Sequence, residues 1–255
     1  MRGLYQSLLA TISKKMIKKI FLLVSLILII VGLISFNVNK QYDDEIINYI
    51  VDLNKYDLKL YWKDDDGNTF RSIENLKDCL DKKKIKLVFA MNGGMYKQDN
   101  SPQGLFIKEE KELSPLDTTS GNGNFYLKPN GVFFITTANK ALICESTRFV
   151  NKGDIKYATQ SGPMLVIDGL IHPMFKQGST NLNIRNGVGV LPNNEVVFAM
   201  SKQKINFYDF ANYFKTLGCK QALYLDGFVS RTYLPEKNWI QTDGNFGVII
   251  GVAEQ

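Results

Sequence analysis

Short apolar runs that end at turns of Gly, Pro, Asn or Asp recur from about residue 57 onwards, and they restrict the folds open to this chain. KLVFAM ends at Asn92, GVFFIT follows Asn130, VVFAMS follows Asn194, and ALYL ends at Asp226. Apolar runs of this kind, bounded by turn residues, are typical of β-strands. Because strands outnumber helices and often follow one another across short turns, the sequence predicts a single α+β domain with a mixed, mainly antiparallel β-sheet and a few helices.

Two amphipathic segments predict helices inside this domain. SIENLKDCLDKKK has its apolar residues on one helical face and Ser72 at the N-cap position. NFYDFANYFKTLG has Asn206 as its candidate N-cap and Gly218 as its C-terminal stop. For residues 42–52, YDDEIINYIVD, the sequence indicates a short helix or a linker.

The N-terminus predicts a membrane segment. Residues 20–36 are uncharged and about as long as the shortest helix that crosses a bilayer, roughly 17 residues. With lysines before this run and polar residues after it, we expect a basic cytoplasmic region over 1–19, a signal anchor or transmembrane helix over 20–36, a linker over 37–56 and an extracytoplasmic domain over 57–255. No small-x-small cleavage site is present around 35–39, which favours a single-pass anchor over secretion after signal cleavage.

The remaining charge argues against a nucleic-acid partner. Five of the 31 basic residues lie before residue 37, so 26 remain against 25 acidic residues, a balance of +1. A nearly neutral domain lacks the basic face that nucleic-acid binding requires.

Three widely spaced cysteines show no zinc or disulfide spacing, and the single histidine, His172, excludes a His-rich metal site. So few cysteines in an exported chain fit a bacterial cell envelope.

Small polar clusters stand where several of the predicted strands begin or end. KLVFAM leads to Asn92, YATQ leads to Ser161, ALYL leads to Asp226, and Arg185 with Asn186 stands at the start of another strand. Asn-Gly and Asp-Gly are also the commonest turn signals, so each cluster alone favours an ordinary turn. Together they predict a sheet edge that offers hydrogen-bond donors, a fixed positive charge and a carboxylate.

Several of these stretches also occur in the order found in a known protein family. AMNGGMY, NFYLKPNGVFF, ATQSGPMLVIDG, IRNGVGV and ALYLDGFVS resemble, in sequence and order, the phosphodiester glycosidase domain family, the NAGPA-like family of the uncovering enzyme. The chain looks closest to its bacterial, YigE-like branch, and the resemblance runs from about residue 57 to the C-terminus. The positions that match the family motifs are Asn92, Gly93, Gly94, Ser161, Gly162, Pro163, Arg185, Asp226, Gly227 and Ser230.

The resemblance implies hydrolysis of a sugar-phosphate diester at the anomeric carbon, giving a free sugar and a phosphomonoester. Arg185 is expected to bind phosphate oxygens through its guanidinium fork. Asp226 is expected to act as general base or to stabilise an oxocarbenium-like centre. Because a phosphomonoester already carries stabilised negative charge, strong proton donation to the leaving group is less necessary than in an ordinary glycosidase.

Other matched or neighbouring residues are candidates for substrate binding. We expect the hydroxyls of Ser161 and Ser230 to contact phosphate or sugar oxygens, and backbone N–H groups of the glycines to cradle an anion. Tyr96 and His172 are additional candidates, His172 as an acid. The predicted substrate-binding residues are Asn92, Gly93, Gly94, Ser161, Gly162, Asn186, Gly227 and Ser230.

Two departures from the family pattern bear on activity. Met95 and Tyr96 follow the glycines where many members have two phenylalanines, and Phe228 stands where many have another glycine. Phe228 therefore puts a side chain where the wider family often leaves space. No cofactor is required by the sequence, although oxygens of Asp226 and Asn92 are compatible with a divalent cation.

The leading prediction is a membrane-anchored, extracytoplasmic hydrolase that cleaves sugar 1-phosphate diesters in cell-envelope glycans, with a glycan or sugar phosphate as its substrate. A phosphodiesterase that cuts the P–O bond is one alternative. A non-catalytic phosphoglycan-binding module of the envelope is the other.

Overall fold

The computed structural model describes residues 44–226 and 229–254, together with Lys19, residues 21–24 and Leu26. The chain divides into two units, Met1–Glu45 and Ile46–Gln255, and the second contains the fold described below. Most of the predicted membrane segment, and both Gly227 and Phe228, lie outside the described residues. Among the residues that are described, no helix is both long and apolar enough to cross a bilayer.

The described chain is built mainly of short strands, as the turn pattern predicts. From Ile46 to Glu254, the described residues also form two α-helices, α1 (Ile73–Lys82) and α2 (Phe207–Thr216), and three short 3-10 helices. The strands are β1 (Ile46–Val51), β2 (Leu58–Tyr61), β3 (Lys86–Asn92), β4 (Phe106–Lys108), β5 (Lys111–Ser114), β6 (Gly131–Thr136), β7 (Ala141–Glu145), β8 (Ile155–Ser161), β9 (Met164–Ile167), β10 (Leu170–Ile171), β11 (Asn186–Val190), β12 (Val196–Ser201), β13 (Ala222–Asp226), β14 (Thr232–Leu234), β15 (Trp239–Ile240) and β16 (Ile249–Glu254).

These strands form three sheets. Sheet 1 has six strands in the order β1-β12-β11-β13-β9-β10, sheet 2 has the order β15-β14-β3-β16-β2, and sheet 3 has the order β5-β4-β8-β6-β7. Every strand pair described within them is antiparallel. The predicted α+β domain with mainly antiparallel strands and few helices is therefore confirmed.

Strand β1 corrects one prediction. Residues 42–52 were expected to form a short helix or linker, yet Ile46–Val51 is the edge strand of sheet 1 and pairs along its whole length with β12. Its partner lies about 150 positions later in the chain, from Val196 to Ser201. Because the pairing is between distant segments, the local pattern of this stretch carries no signal of it.

The three sheets meet in one apolar core. Phe198 of sheet 1 lies 5.4 Å from Phe89 of sheet 2 and 5.9 Å from Phe133 of sheet 3, measured between ring centroids. Tyr49 of β1 stacks on Phe89 at 4.5 Å. All three phenylalanines are fully buried. Aromatic packing of this kind fixes the sheets against each other and so fixes the ends of their strands.

Both predicted helices and their caps are confirmed. The Ser72 side chain accepts a hydrogen bond from the Asn75 N–H at the start of α1, and the Asn206 side chain accepts from the Asp209 N–H at the start of α2. Gly218, with φ at 84°, follows the end of α2 as predicted. The apolar face of α1 packs beside β3, and that of α2 packs beside β9.

Candidate active site

The polar residues singled out in the sequence come from strand ends in all three sheets. Asn92 ends β3 of sheet 2, Asp226 ends β13 of sheet 1, and Ser161 ends β8 of sheet 3. Asn186 begins β11 and lies opposite Asp226 in the antiparallel ladder. All four are buried, and Asp226 is 6% exposed. The polar cluster is therefore a junction of three sheets rather than one edge of a single sheet.

A hydrogen-bond network joins Asn92, Asn186 and Asp226. Asn92 Nδ2 donates to Asp226 Oδ2 at 3.1 Å. Asn186 Nδ2 donates to the backbone oxygen of Asn92 at 2.8 Å and to its Oδ1 at 3.0 Å, while Asn186 Oδ1 accepts from the Asp226 N–H at 2.7 Å. The Arg231 N–H also donates to Asn92 Oδ1, at 2.8 Å. Both ends of the Asn186 amide are thus used, and the carboxylate is held in one orientation.

The two serines of the site hold the end of β13. Ser161 Oγ donates to the backbone oxygen of Leu225 at 2.7 Å, and Ser230 Oγ donates to the backbone oxygen of Asp226 at 2.8 Å. Both hydroxyls are buried. In this structure they position the Asp226 backbone, so their predicted contacts with substrate stay a prediction.

The glycines near the site are required by close packing. A Cβ at Gly93 would overlap Ile250, and one at Gly94, whose φ is +87°, would overlap Thr159 Oγ1. A Cβ at Gly162 would lie 2.6 Å from Asn130 Cβ. The Gly93 N–H donates to the Val248 carbonyl at 2.9 Å, so it serves the fold here. Adjacent glycines let the end of β3 pass between neighbouring strands.

A cavity of about 320 Å³ opens above Asp226. Its described lining is Asp226 and four consecutive residues that follow the Asn-Gly-Gly turn, Met95, Tyr96, Lys97 and Gln98. Burial, and secondarily the Asp226 charge, raises the pKa of Tyr96 to about 12. The Tyr96 hydroxyl therefore stays protonated at neutral pH and can donate a hydrogen bond to a ligand.

Arg185 is buried and is not among the described residues that line this cavity. Its Nε donates to the Ile205 carbonyl at 2.9 Å, its Nη2 to the Asn181 carbonyl at 2.9 Å, and its Nη1 to the Tyr224 hydroxyl at 3.5 Å. The Phe207 ring covers one face of the guanidinium, 3.5 Å from Cζ to the ring centroid. The side chain is 0% exposed, and burial lowers the pKa of Arg185 from its usual value. Arg185 therefore packs and hydrogen-bonds within the protein, and its predicted phosphate contact remains a prediction.

His172 stands at the far end of the same aromatic stack. Its ring lies 4.7 Å from Phe175, which lies 4.7 Å from Phe207, the ring that covers Arg185. His172 Nε2 lies 3.0 Å from the Lys128 carbonyl, and Nδ1 accepts from the Met174 N–H at 3.2 Å. These partners define a neutral ring that donates from Nε2, and burial lowers the pKa of His172. His172 is not among the described residues that line the cavity over Asp226.

Sequence reasoning missed several residues that shape the site. Tyr224 was found only as part of a buried strand, yet its hydroxyl accepts a hydrogen bond from Arg185 Nη1 at 3.5 Å. Lys97 lines the cavity, and the Arg231 N–H binds Asn92. Tyr224 lies in a strand that is buried at every position, and Lys97 sits in a polar turn, so neither carries a periodic signal that marks it.

A hydrogen-bond network of polar side chains holds the segment that forms the cavity wall. The Gln103 N–H donates to the Met95 carbonyl at 2.8 Å, and Gln103 Nε2 donates to Asp117 Oδ2 at 3.0 Å. Gln160, 1% exposed, accepts from the N–H groups of both Leu105 and Asp117. The wall beside Asp226 is thereby tied to β8, the strand that ends at Ser161.

The amide oxygens beside Asp226 are already engaged by protein donors, which leaves them poorly suited as metal ligands. Asn92 Oδ1 accepts two protein N–H donors and Asn186 Oδ1 accepts one, so both are already engaged. Across the described part of the chain, no group of three or more His, Cys, Asp or Glu side chains is arranged to hold a metal ion. A larger cavity, about 370 Å³ and lined in part by α1, contains none of the predicted site residues.

Comparison with known proteins assigns the family. Residues 86–251 match the phosphodiester glycosidase family. The uncharacterized protein YigE of Escherichia coli strain K12 is 37% identical over 179 residues, which are 69% of this chain and 69% of that protein. The chain therefore belongs to the phosphodiester glycosidase family, which is a family of enzymes.

Solved structures share the fold at low sequence identity. The catalytic domain of zebrafish N-acetylglucosamine-1-phosphodiester alpha-N-acetylglucosaminidase, auto-inhibited by its pro-peptide, matches with a TM-score of 0.58 and 14% identity, covering 82% of this chain and 84% of that one. A hypothetical protein from Synechocystis matches with a TM-score of 0.52 and 12% identity, covering 82% of this chain and 59% of that one. At these identities the likeness concerns the fold alone.

Proposed function

We propose that this protein is a hydrolase that cleaves sugar 1-phosphate diesters at the anomeric C–O bond, with Asp226 as its catalytic carboxylate. The observation that carries the proposal is the placement of Asp226. Its carboxylate lies at a cavity of about 320 Å³ and accepts a hydrogen bond from Asn92 Nδ2. The Asp226 N–H is held by Asn186 Oδ1. Membership of the phosphodiester glycosidase family supplies the class of bond.

This reaction depends on one well-placed carboxylate. A second one, which would protonate the leaving oxygen, is less necessary because the phosphomonoester leaves as a stable anion. In the proposed step a water oxygen bonds to the anomeric carbon, and the bond between that carbon and the phosphate oxygen breaks with its electron pair on the phosphate. Asp226 accepts a proton from the water, and the phosphomonoester leaves as a stable anion. A preorganised carboxylate also stabilises the positive charge that develops on the sugar ring.

In this proposal the residues around Asp226 position the carboxylate or contact the substrate. Asn92 and Asn186 fix the carboxylate, and Ser161 and Ser230 fix the end of its strand. The neutral Tyr96 hydroxyl donates a hydrogen bond to the bound sugar or phosphate. Arg185 acts from behind the site, through the Tyr224 hydroxyl and the packing of Phe207.

The place of action is part of the proposal. Basic residues before the apolar run at 20–36 support export of the domain, with a membrane anchor. The diesters that an exported bacterial enzyme of this family meets are those of envelope glycans, so we propose a glycan or sugar-phosphate polymer of the cell envelope as its substrate.

The experiment is turnover of a panel of sugar 1-phosphodiesters by the full-length chain, with both products resolved by mass. We expect a free sugar and a phosphomonoester from at least one substrate. Asp226→Asn should lower kcat by a factor of at least about 100, as expected for loss of a general base, while the protein stays folded. Asp154→Asn, in an exposed turn, is the matched control and should keep wild-type rates.

Three results would overturn part or all of this proposal. A sugar phosphate and an alcohol as products would identify a phosphodiesterase that cuts the P–O bond. Binding of panel members without turnover of any would identify a phosphoglycan-binding module. Wild-type turnover by Asp226→Asn would remove the catalytic role of that carboxylate.

A further inference from the structure

An anionic substrate and the Asp226 carboxylate repel each other, so this site needs a cation close to the bound phosphate. A sugar 1-phosphodiester carries a negative charge on its phosphate, and the catalytic carboxylate of Asp226 carries another. Bringing the two together in a partly buried cavity costs free energy unless a cation lies nearby. Three described cations, Arg185, Arg231 and Lys97, differ in whether they line the cavity.

Arg185 does not line the described cavity. Its Nε and Nη2 donate to the backbone carbonyls of Ile205 and Asn181, and Phe207 covers its face. The side chain is 0% exposed. Reaching a phosphate would require Arg185 to leave these partners and to give up its hydrogen bonds to both carbonyls, which carries a cost for each bond that is lost.

Arg231 is also committed to protein partners. Its Nε lies 2.6 Å from Asp243 Oδ1 and its Nη2 lies 2.8 Å from Asp243 Oδ2, a bidentate ion pair. Its Nη1 donates to the Ser230 carbonyl at 3.0 Å. The Arg231 charge is therefore neutralised by Asp243, which leaves little attraction for a second anion.

Lys97 differs from both arginines. It lines the same cavity as Asp226 and is exposed. Within residues 44–226 and 229–254, no carboxylate lies within ion-pair distance of its Nζ. The nearby Asp99 carboxylate accepts from the Ser101 N–H and hydroxyl, at 3.0 and 2.6 Å. These hydrogen bonds, and to a smaller extent the Lys97 charge, lower the pKa of Asp99.

The backbone of Lys97 is held by hydrogen bonds, whereas its side chain makes none with the described residues. The Lys97 N–H donates to the Ser101 carbonyl and the Lys97 carbonyl accepts from the Asn100 N–H, both at 2.9 Å. Gln103 ties the preceding residue pair to the fold through the Met95 carbonyl at 2.8 Å. A rigid turn that carries a flexible, charged side chain at a cavity mouth is suited to capture an anion.

We propose that Lys97 binds the phosphate of the substrate and makes the site selective for anionic diesters over neutral glycosides. This inference rests on the proposed function for its choice of ligand. It assigns the direct phosphate contact to Lys97 and leaves Arg185 as a positioning residue. Lys97 follows Tyr96 in the chain, and both residues line the cavity with Asp226.

The test is binding of N-acetylglucosamine 1-phosphate by the full-length chain, measured by calorimetry at low salt. We expect Lys97→Gln to weaken binding about tenfold, the effect of losing one charge-assisted hydrogen bond, and Lys97→Glu to weaken it further. Lys97→Arg keeps the charge and should stay within about threefold of wild type. Lys140→Gln, in the exposed turn between β6 and β7, is the matched control and should bind as wild type does.

A second ligand separates charge recognition from general damage to the site. Neutral N-acetylglucosamine should bind wild type and Lys97→Gln equally. The wild-type affinity for the phosphate ligand should fall as salt is raised, and Lys97→Gln should show a weaker salt dependence. Because the Lys97 side chain makes no described contact that holds the fold, each Lys97 variant should melt at the wild-type temperature.

Two outcomes would overturn the inference. One is equal affinity of wild type and Lys97→Gln for the phosphate ligand. The other is no binding of that ligand by wild type. Turnover is scored separately: a chain that binds the ligand through Lys97 but cleaves no diester would leave this inference standing and remove the proposed function.

Discussion

Asn92 and Asp226 are 134 positions apart in the chain and belong to different sheets, yet Asn92 Nδ2 lies 3.1 Å from Asp226 Oδ2. This contact joins the end of β3 to the end of β13. It forms because Phe89, Phe198 and Phe133 lock the three sheets together and bring their strand ends to one point. The oriented carboxylate that results is the basis of the proposed chemistry.

Asn92→Asp should change the pH dependence of catalysis. The substitution places a second carboxylate against Asp226, and two adjacent carboxyl groups cannot easily both be ionised. Because the proposed step needs an ionised Asp226, we expect the acidic limb of the kcat/KM profile to move to higher pH by about one unit or more. An unshifted profile at wild-type rates would contradict the role of this contact.

Asn186→Ala should destabilise the domain as well as the site. The amide of Asn186 satisfies the Asn92 carbonyl, Asn92 Oδ1 and the Asp226 N–H, all of them buried. We expect a loss of about 1–3 kcal/mol in the free energy of unfolding, measured by urea denaturation. Asn193→Ala, in the exposed turn between β11 and β12, serves as control and should cost less than about 0.5 kcal/mol. Equal effects of the two substitutions would count against the network.

Arg185→Lys tests whether that side chain positions the site or binds substrate. Lysine keeps the charge but loses the planar fork that serves the Ile205 and Asn181 carbonyls, so we expect about 1–3 kcal/mol of destabilisation. Well below the melting temperature of the variant, affinity for N-acetylglucosamine 1-phosphate should stay within about threefold of wild type. A tenfold or greater loss of affinity in folded protein would show that Arg185 reaches the phosphate.

His172 should make stability depend on pH. Burial lowers its pKa in the folded protein below the usual 6.5, so the unfolded chain takes up the proton first as pH falls. Wild type should therefore lose stability from pH 7.5 to pH 5.5, by at most about 1.4 kcal/mol per pH unit from this group. His172→Gln, which can still donate to the Lys128 carbonyl, should show a smaller loss. Parallel pH dependences in thermal melts of the two proteins would contradict this.

Local features of the fold were predictable from sequence. Ser72 and Asn206 identified the two helix starts because capping depends only on nearby residues. The end of β3 at Asn92 followed from the change from apolar to polar residues. The pairing of β1 with β12 did not follow, because it joins segments that are distant in the chain.

The site was predictable as a set of residues but not as a geometry. Motif order indicated Asn92, Arg185 and Asp226, whereas their distances and exposure depend on how three sheets pack. Burial of Arg185 under Phe207 requires contacts from several elements, which a local pattern cannot report. Packing likewise explains Gly93, whose neighbour Ile250 comes from the last strand of the chain.

The measurement that tests the central proposal most directly is turnover of a sugar 1-phosphodiester in water enriched in oxygen-18. If water attacks the anomeric carbon, the label must enter the released sugar, and we expect mass spectrometry to find one labelled oxygen there and none in the phosphomonoester. Label in the phosphate product, with an unlabelled sugar, would show that the P–O bond is cut and would contradict glycosidase chemistry at Asp226.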